Sequence, residues 1–206
     1  CAHLLTSDDP STRAWEIAEQ IDDDPTPRRL AAALPEGATV LTIGWPEIAA
    51  AGLLGRGDVR VLCTDSRFEA SGFLQLLERY DVECEPVPAE AIARAAAAAD
   101  VVVVEASAAA PGRVVAPVGS HVVAAVGRSV EVPVWLVAGV GRRLPVEYVG
   151  AIARQVVTGA AGWDTEIDDL PLELVTHVVT EHGLADVSEL RPDCPFAPEL
   201  LRTSPF

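Results

Sequence analysis

Residues suited to binding an anion recur just after the predicted strands of this chain. The segments are Thr42–Trp45, Thr64–Arg67, Glu105–Ser107 and Gly139–Arg143. Together they offer backbone N–H groups, serine hydroxyls and the planar guanidinium fork, which are the groups that bind phosphate. The same residue types form turns and helix caps, so a structural role is the alternative for each segment taken singly. A binding site is indicated by their occurrence together.

These segments converge only if the strands before them are neighbours in one parallel sheet. From residue 38 onward, short β-branched runs alternate with Ala- and Leu-rich stretches, a pattern that predicts an α/β fold. The predicted strands are Thr39–Ile43, Val59–Cys63, Glu83–Val87, Val101–Val104 and Val132–Val137. The all-valine run Val101–Val104 is typical of a parallel strand covered on both faces. In such a doubly wound sheet, ligands bind outside the carboxyl ends of the strands.

The predicted helices lie between and around these strands. They are Ser11–Gln20, Pro27–Leu34, Pro46–Leu54, Ala70–Arg79, Ala89–Ala98, Ser120–Arg128, Val146–Val157 and Pro171–Glu181. The predicted organisation is a short helical lead-in over residues 1–36, a mostly parallel Rossmann-like domain over residues 37–190 and an extended arm over residues 191–206. Because the chain contains no Met, we expect the lead-in to be truncated and the numbering to begin inside a longer gene product.

The charge of the chain limits its partners. All 15 basic residues are Arg, 31 residues are acidic and the formal charge is −16, so we expect no nucleic acid partner and no lysine chemistry. The four cysteines lack CxxC spacing, which argues against a zinc site or a disulfide framework. No apolar run approaches the roughly 20 residues of a membrane-spanning helix, and no secretory signal is evident. We therefore expect a cytoplasmic protein with no membrane partner.

No cofactor or metal is predicted from the motifs. Gly139–Gly141 lacks the third glycine of a dinucleotide fingerprint, and the turn after the first predicted strand has no Gly-x-Gly-x-x-Gly. His177 and His182 are five residues apart, which differs from the i, i+4 spacing of a helical metal pair.

Three short segments carry a family resemblance. They are Asp65-Ser66-Arg67 followed by Gly72, Gly112–Ser120 and Val178–Gly183. Similar segments occur in the same order in one family. Residues 38 to 187 therefore resemble the family that holds methylthioribose-1-phosphate isomerase, ribose-1,5-bisphosphate isomerase and the alpha, beta and delta regulatory subunits of initiation factor 2B. The resemblance implies that family's C-terminal Rossmann-like domain. It also implies a homodimer, because members commonly pair through this domain.

The same resemblance implies that the family's isomerase chemistry is lost. The isomerases use a cysteine in a Thr-x-Cys-Asn turn and an aspartate in a Gly-Ala-Asp turn as the acid/base pair. Here the first position is Gly44 and the second is Ala106 or Ser107, while the family's Asn-Lys pair becomes Ala116-Pro117. Serine without a base cannot shuttle protons. A relocated base, Glu105 or Asp65, is the alternative.

The resemblance and the strand-end residues together predict a ligand-binding protein that has lost isomerase activity and serves a regulatory or assembly role. The phosphorylated ligand, a sugar phosphate or nucleotide, is predicted to contact Gly44, Ser66, Arg67, Ser107, Gly119 and Ser120. One alternative is a divergent sugar-phosphate isomerase using Asp65, Arg67 and Ser107. The other is a purely structural dimerisation module, in which the Cys194-Pro195-Phe196 tail docks on a partner. The sequence leaves open whether Arg142 and Arg143 face the site or solvent.

Overall fold

Ten strands and nine α-helices make up the part of the chain that the computed structural model describes, residues 2–159 and 165–202. The strands are β1 (Thr39–Ile43), β2 (Arg60–Thr64), β3 (Glu83–Val87), β4 (Val101–Glu105), β5 (Ala108–Ala110), β6 (Arg113–Pro117), β7 (Val134–Val137), β8 (Ile167–Leu170), β9 (His177–Thr180) and β10 (Gly183–Asp186). The helices are α1 (Ala2–Leu5), α2 (Pro10–Asp22), α3 (Thr26–Ala33), α4 (Glu47–Leu53), α5 (Ala70–Arg79), α6 (Ile92–Ala98), α7 (Ser120–Ser129), α8 (Val146–Gly159) and α9 (Glu199–Arg202).

Seven strands form the central sheet, in the order β10-β9-β7-β4-β1-β2-β3. Every pairing in it is parallel except that of β10 with β9. The predicted mostly parallel, Rossmann-like α/β fold is therefore confirmed. The carboxyl ends of β1, β2, β4 and β7 meet at one edge, where a ligand site is expected in this architecture.

Side chains alternate between the two faces of the buried strand β4. Val102 and Val104 pack on the face that also holds Val123 of α7, whereas Val101 and Val103 pack on the face with Phe73 of α5. All five residues of β4 are buried. Burial on both faces explains why the sequence of this strand is a nearly continuous apolar run.

The predicted helix Pro171–Glu181 is wrong. After Pro171 the chain forms one 3-10 turn, Leu172–Leu174, and then enters β9. Val178 and Val179 pair with Leu136 and Val137 of β7 in parallel register. The β-branched residues therefore extend the sheet, and this tertiary pairing outweighs the helix-like apolar spacing of the segment.

A second, three-stranded antiparallel sheet was not predicted. Its order is β5-β6-β8, and it lies between β4 and α8 in the fold. Alanine has low strand propensity, so Ala108–Ala110 gives no strand signal by itself. Pairing with Val114 and Val115 of β6 supplies the structure. The loop from β4 to α7, where the family resemblance places acid/base chemistry, is thus a hairpin.

Both ends of the described chain pack on this framework. Asp24, between α2 and α3, accepts the Val140 N–H at 3.0 Å. The segment after residue 190, predicted as an extended arm, packs against α8, where the Tyr148 hydroxyl donates to the Ala197 carbonyl at 2.8 Å, and its described part includes the short helix α9. Among the described helices, none combines the length and apolarity needed to cross a bilayer.

Candidate functional site

A cleft of about 530 Å³ opens at the carboxyl edge of the central sheet. Its lining residues come from the strand ends, the loops after them and the first turns of α4, α5 and α7. They are Ile43, Trp45, Pro46, Glu47, Phe68, Glu69, Ser71, Gly72, Glu105, Ala106, Ser107, Pro117, Ser120 and Arg142. This is the edge at which the sequence segments were expected to converge.

Glu105, the last residue of β4, is a buried carboxylate in the cleft wall, only 7% exposed. Its Oε2 accepts the N–H groups of Ile48 at 2.8 Å and Ala49 at 3.1 Å. Its Oε1 has no hydrogen-bond partner among the described residues. Burial raises the pKa of Glu105 to about 7, against the opposing effects of the two N–H groups and of Arg142.

The two arginines after β7 point in different directions. Arg142 lines the cleft, where its Nη1 donates to the Ala106 carbonyl at 3.3 Å and its Nη2 lies 3.5 Å from Glu47 Oε2. Arg143 is buried and pairs with Glu181 and, at 3.5 Å, with Asp193. Arg142 is therefore the cationic side chain that faces the cleft, whereas Arg143 binds the C-terminal segment to the sheet.

The start of α7, predicted as a phosphate position, already holds a carboxylate. Oδ2 of Asp168, on β8, accepts the N–H of Gly119 at 2.8 Å and that of His121 at 3.0 Å. Ser120 lines the cleft, is fully buried, and its hydroxyl has no hydrogen-bond partner in the described chain. An incoming anion at these N–H groups would have to displace Asp168. Sequence reasoning missed Asp168, because β8 forms a strand only through its pairing with β6.

Three predicted site residues after β2 contribute to the loop instead of the cleft lining. Asp65 Oδ1 accepts the N–H of Ala70 at 3.1 Å, which caps α5. The Ser66 hydroxyl donates to the Val118 carbonyl at 2.8 Å and so joins two loops. Arg67 reaches the segment just before β8, with Nη1 3.4 Å from the Thr165 carbonyl and Nη2 3.9 Å from Glu166. The next residues, Phe68 and Glu69, are the ones that line the cleft.

The turn after β1 is shaped by two glycines and a tryptophan. Gly44 adopts a left-handed φ of +63°, and a Cβ there would lie 3.1 Å from the Ser66 Cβ. Trp45 packs its ring over Gly72 of α5, where a Cβ would come within 2.6 Å of the ring. Trp45 thus closes one wall of the cleft, and Gly72 is needed because only a residue without a side chain fits beneath that ring.

The one cysteine near this edge is Cys63, inside β2. It is buried, its thiol donates to the Gly44 carbonyl at 3.4 Å, and burial raises its pKa to about 12. A thiol held this far from its thiolate form is a poor nucleophile. Of the predicted ligand contacts, Ser107 and Ser120 line the cleft, whereas Gly44 and Gly119 shape the loops beside it.

Comparisons with known proteins agree with this architecture. A family model described as the initiation factor 2 subunit family matches residues 27–187, more than half of the chain. A search of curated proteins found no match.

Three solved structures show the same fold at low sequence identity. Initiation factor eIF2B beta from Chaetomium thermophilum has a TM-score of 0.69 at 16% identity, over 88% of this chain and 55% of that one. Translation initiation factor eIF-2B from Pyrococcus horikoshii OT3 has a TM-score of 0.70 at 16% identity, over 86% and 69%. The tetrameric eIF2B-beta2-delta2 complex from C. thermophilum has a TM-score of 0.71 at 15% identity, over 88% and 62%. The matched region thus spans 55% to 69% of the length of these proteins.

Proposed function

Because this chain belongs to the initiation factor 2 subunit family, we propose that it is a non-isomerising member that binds a small polar ligand in its cleft. The ligand class is a sugar phosphate or nucleotide, and its binding serves a regulatory or assembly role. One observation carries the proposal. The cleft is open and lined by both polar and apolar side chains, yet the resemblance puts the family's acid/base pair at Gly44, without a side chain, and at Ala106 or Ser107, neither of which is a carboxylate.

Moving a carbonyl along a sugar requires a group that removes a proton and a group that returns it, each with a suitable pKa. The Ser107 hydroxyl cannot serve as a base at neutral pH without a neighbouring base. Cys63 is buried beneath the Gly44 carbonyl and is not among the residues that line the cleft. Binding without turnover is therefore the activity that this lining supports best.

We assign the phosphate of the ligand to Arg142. Its guanidinium faces the cleft, while the N–H groups at the start of α7 are already bound to Asp168. Trp45 and Phe68 line the same cleft and are 42% and 91% exposed, so each offers an aromatic face to a base or sugar ring.

Calorimetric titration paired with NMR of the mixture tests this proposal. The probes are ribose 1,5-bisphosphate, methylthioribose 1-phosphate and AMP. We expect at least one to bind and none to be isomerised, and Arg142→Gln to weaken binding by about tenfold or more, as loss of a charged hydrogen bond does. Arg67→Gln, outside the lining, is the matched control. Conversion of either sugar phosphate by the wild-type protein would contradict the proposal.

A divergent isomerase is the second candidate, and Glu105 is the observation in its favour. Glu105 lines the cleft and has a pKa of about 7, which is suited to a general base at neutral pH. Asp65, the other carboxylate considered for this role, caps α5 instead. In this case ribose 1,5-bisphosphate would turn over, and Glu105→Gln would abolish the turnover while binding persisted.

Self-association is the assembly role that we propose. One neighbour in fold is a tetrameric complex, which supports the expected homodimer. The Cys194-Pro195-Phe196 tail is a weaker docking element than the sequence suggested. The Phe196 ring already packs within its own chain, with its centroid 5.5 Å from that of the Tyr148 ring. Light scattering after gel filtration tests this: a dimer mass supports assembly, and a monomer mass across micromolar concentrations excludes the dimerisation module.

A further inference from the structure

We propose that the ligand of the cleft carries a protonated amine, which pairs with the free oxygen of Glu105. This inference rests on the proposed function, since it names the chemistry of the molecule that occupies the same cleft. The amine would replace the neutral hydroxyl that a plain sugar presents. Its class is therefore an amino sugar or a comparable aminated polyol, with or without a phosphate at Arg142.

Glu105 is held in place by one of its carboxylate oxygens, and the other oxygen lacks a partner among the described residues. The residue is 7% exposed and lines the cleft. Oε2 is held by two backbone N–H groups, at 2.8 Å and 3.1 Å, which fix the carboxylate. Oε1 has no partner among the described residues, so the fixed carboxylate presents one free acceptor. Oε1 is not one of the buried side-chain atoms that lack a partner, so a donor from a ligand in the cleft can reach it.

The rest of the lining explains why that donor should be cationic. Three carboxylates, Glu47, Glu69 and Glu105, and one guanidinium, Arg142, line the described part of the cleft. Arg142 is already shared with Glu47 at 3.5 Å. Wherever Glu105 is ionised, the lining carries an excess of negative charge that an ammonium group neutralises and a second phosphate would increase.

A second, independent observation lies on the neighbouring wall. The Ser120 hydroxyl is fully buried, lines the cleft and has no partner in the described chain. The adjacent N–H groups of Gly119 and His121 are bound to Asp168. The helix end that would favour an anion is therefore neutralised, while a buried hydroxyl in the cleft wall, able to accept a hydrogen bond from an ammonium group, lacks a partner in the described chain.

Four matched probes test the inference by calorimetric titration at pH 7.5: glucose, glucosamine, glucose 6-phosphate and glucosamine 6-phosphate. Each pair differs only in an amine for a hydroxyl, and the two pairs differ only in a phosphate. We expect each amine to bind about tenfold or more tighter than its hydroxyl counterpart, as a charge-assisted hydrogen bond to a buried carboxylate requires. Glu105→Gln should remove that ratio, and Glu90→Gln, an exposed carboxylate outside the cleft lining, should keep it.

The titration results distinguish a failure of the amine assignment from a failure of the proposed ligand-binding function. Amine and hydroxyl probes of equal affinity in the wild-type protein would overturn the amine assignment, whatever the variants do. If the phosphate esters then bound regardless of the amine, the proposed ligand-binding function would stand. If none of the four probes bound, and the nucleotides and sugar phosphates also failed, both proposals would be overturned. An amine preference that persists in Glu105→Gln would likewise contradict the role of Glu105, and so would its loss in Glu90→Gln.

Discussion

Two carboxylates lie at the same edge of the central sheet, Glu105 buried and Glu181 half-buried, and their surroundings differ. Glu181 follows β9 and pairs directly with the buried guanidinium of Arg143, which also reaches Asp193. Glu105 ends β4 and meets only backbone N–H groups, with Arg142 acting on it electrostatically. A compensated charge stabilises the fold, whereas an uncompensated charge in a cleft is free to bind a ligand.

The comparison also separates the retained sequence motifs from the altered ones. Thr180-Glu181-His182-Gly183 keeps the family's closing signature, and here it binds the C-terminal segment and Arg143 to the sheet. The strand-end turns around Gly44 and Ser107 depart from the family pattern, and they surround the cleft. The resemblance thus implies that the matching residues hold the fold, whereas the positions expected to perform the chemistry differ.

The largest expected effect is the loss of the Arg143 pair. Arg143→Met leaves Glu181 and Asp193 without their buried cation and should lower the free energy of unfolding by about 3–5 kcal/mol. Arg113→Met is the matched control, because the Arg113–Asp169 pair is partly exposed, at 38% and 40%, and should cost at most about 1 kcal/mol. Urea denaturation of both variants measures the difference. Equal effects would contradict the structural role assigned to Arg143.

The next effect concerns Glu105 and depends on pH. Its pKa is about 7 in the folded protein and 4.5 ordinarily, so the folded state retains a proton that the unfolded state has lost between these values. The free energy of unfolding should therefore fall as pH rises from 4.5 to 7. Glu105→Gln should remove the cost of burying an ionised carboxylate. It should therefore raise the free energy of unfolding by up to about 3 kcal/mol at pH 8, but not at pH 4.

Thermal unfolding of the wild-type protein, Glu105→Gln and Glu69→Gln at pH 4, 6 and 8 measures that dependence. Glu69 is exposed, so its variant should follow the wild-type protein at each pH. A Glu105→Gln variant that is less stable than the wild-type protein at pH 8 would show that the ionised carboxylate stabilises the fold, as Glu181 does. Glu105 and Glu181 would then have the same role, contrary to our account.

A smaller effect separates crowding from backbone strain at the cleft turn. Gly44 and Gly37 both adopt left-handed φ, of +63° and +67°. Alanine at Gly37 meets no atom within 4 Å, whereas at Gly44 it meets the Ser66 Cβ at 3.1 Å. Gly37→Ala should cost about 1 kcal/mol, and Gly44→Ala measurably more. Equal losses in urea denaturation would show that the turn relaxes around the new side chain.

The smallest expected effect is that of Arg67. Although it follows the motif of the family, its contacts are with Thr165 and Glu166 in the structure. Arg67→Ala should leave the affinity for a phosphorylated probe within about twofold, since surface changes of this kind usually act within ±0.5 kcal/mol. A tenfold loss in calorimetric titration would restore Arg67 to the ligand site, as the sequence first suggested.

The central sheet was largely predictable, because its inner strands β1, β2, β4 and β7 are short apolar runs whose residues are mostly buried. β1, β3, β4 and most of β2 and β7 lie where the pattern indicates them. The second sheet was not, because Ala108–Ala110 and Ile167–Leu170 acquire strand structure only through pairing with β6. The predicted helix over Pro171–Glu181 is wrong for a related reason. Its valines pair with β7, a contact that local spacing does not reveal.

The cleft was predictable in place but less so in detail. Strand ends identify its edge, and Ser107 and Ser120 follow from that edge. Whether a polar side chain near a strand end faces the ligand or braces a loop depends on tertiary contacts, which is why Ser66 bonds to Val118 and Asp65 to Ala70. The free oxygen of Glu105 depends on what surrounds it, and a single sequence does not show this.

A thermal-shift screen, with a variant whose cleft is blocked, tests most directly whether this cleft binds a small ligand. Ser107→Trp places a bulky ring in the lining without altering a buried residue. A sugar phosphate, nucleotide or amino sugar present at 100 times its dissociation constant should stabilise the wild-type protein by about 2.7 kcal/mol and leave Ser107→Trp unchanged. An equal shift in both proteins, or no shift with any of these compounds, would contradict ligand binding in the cleft.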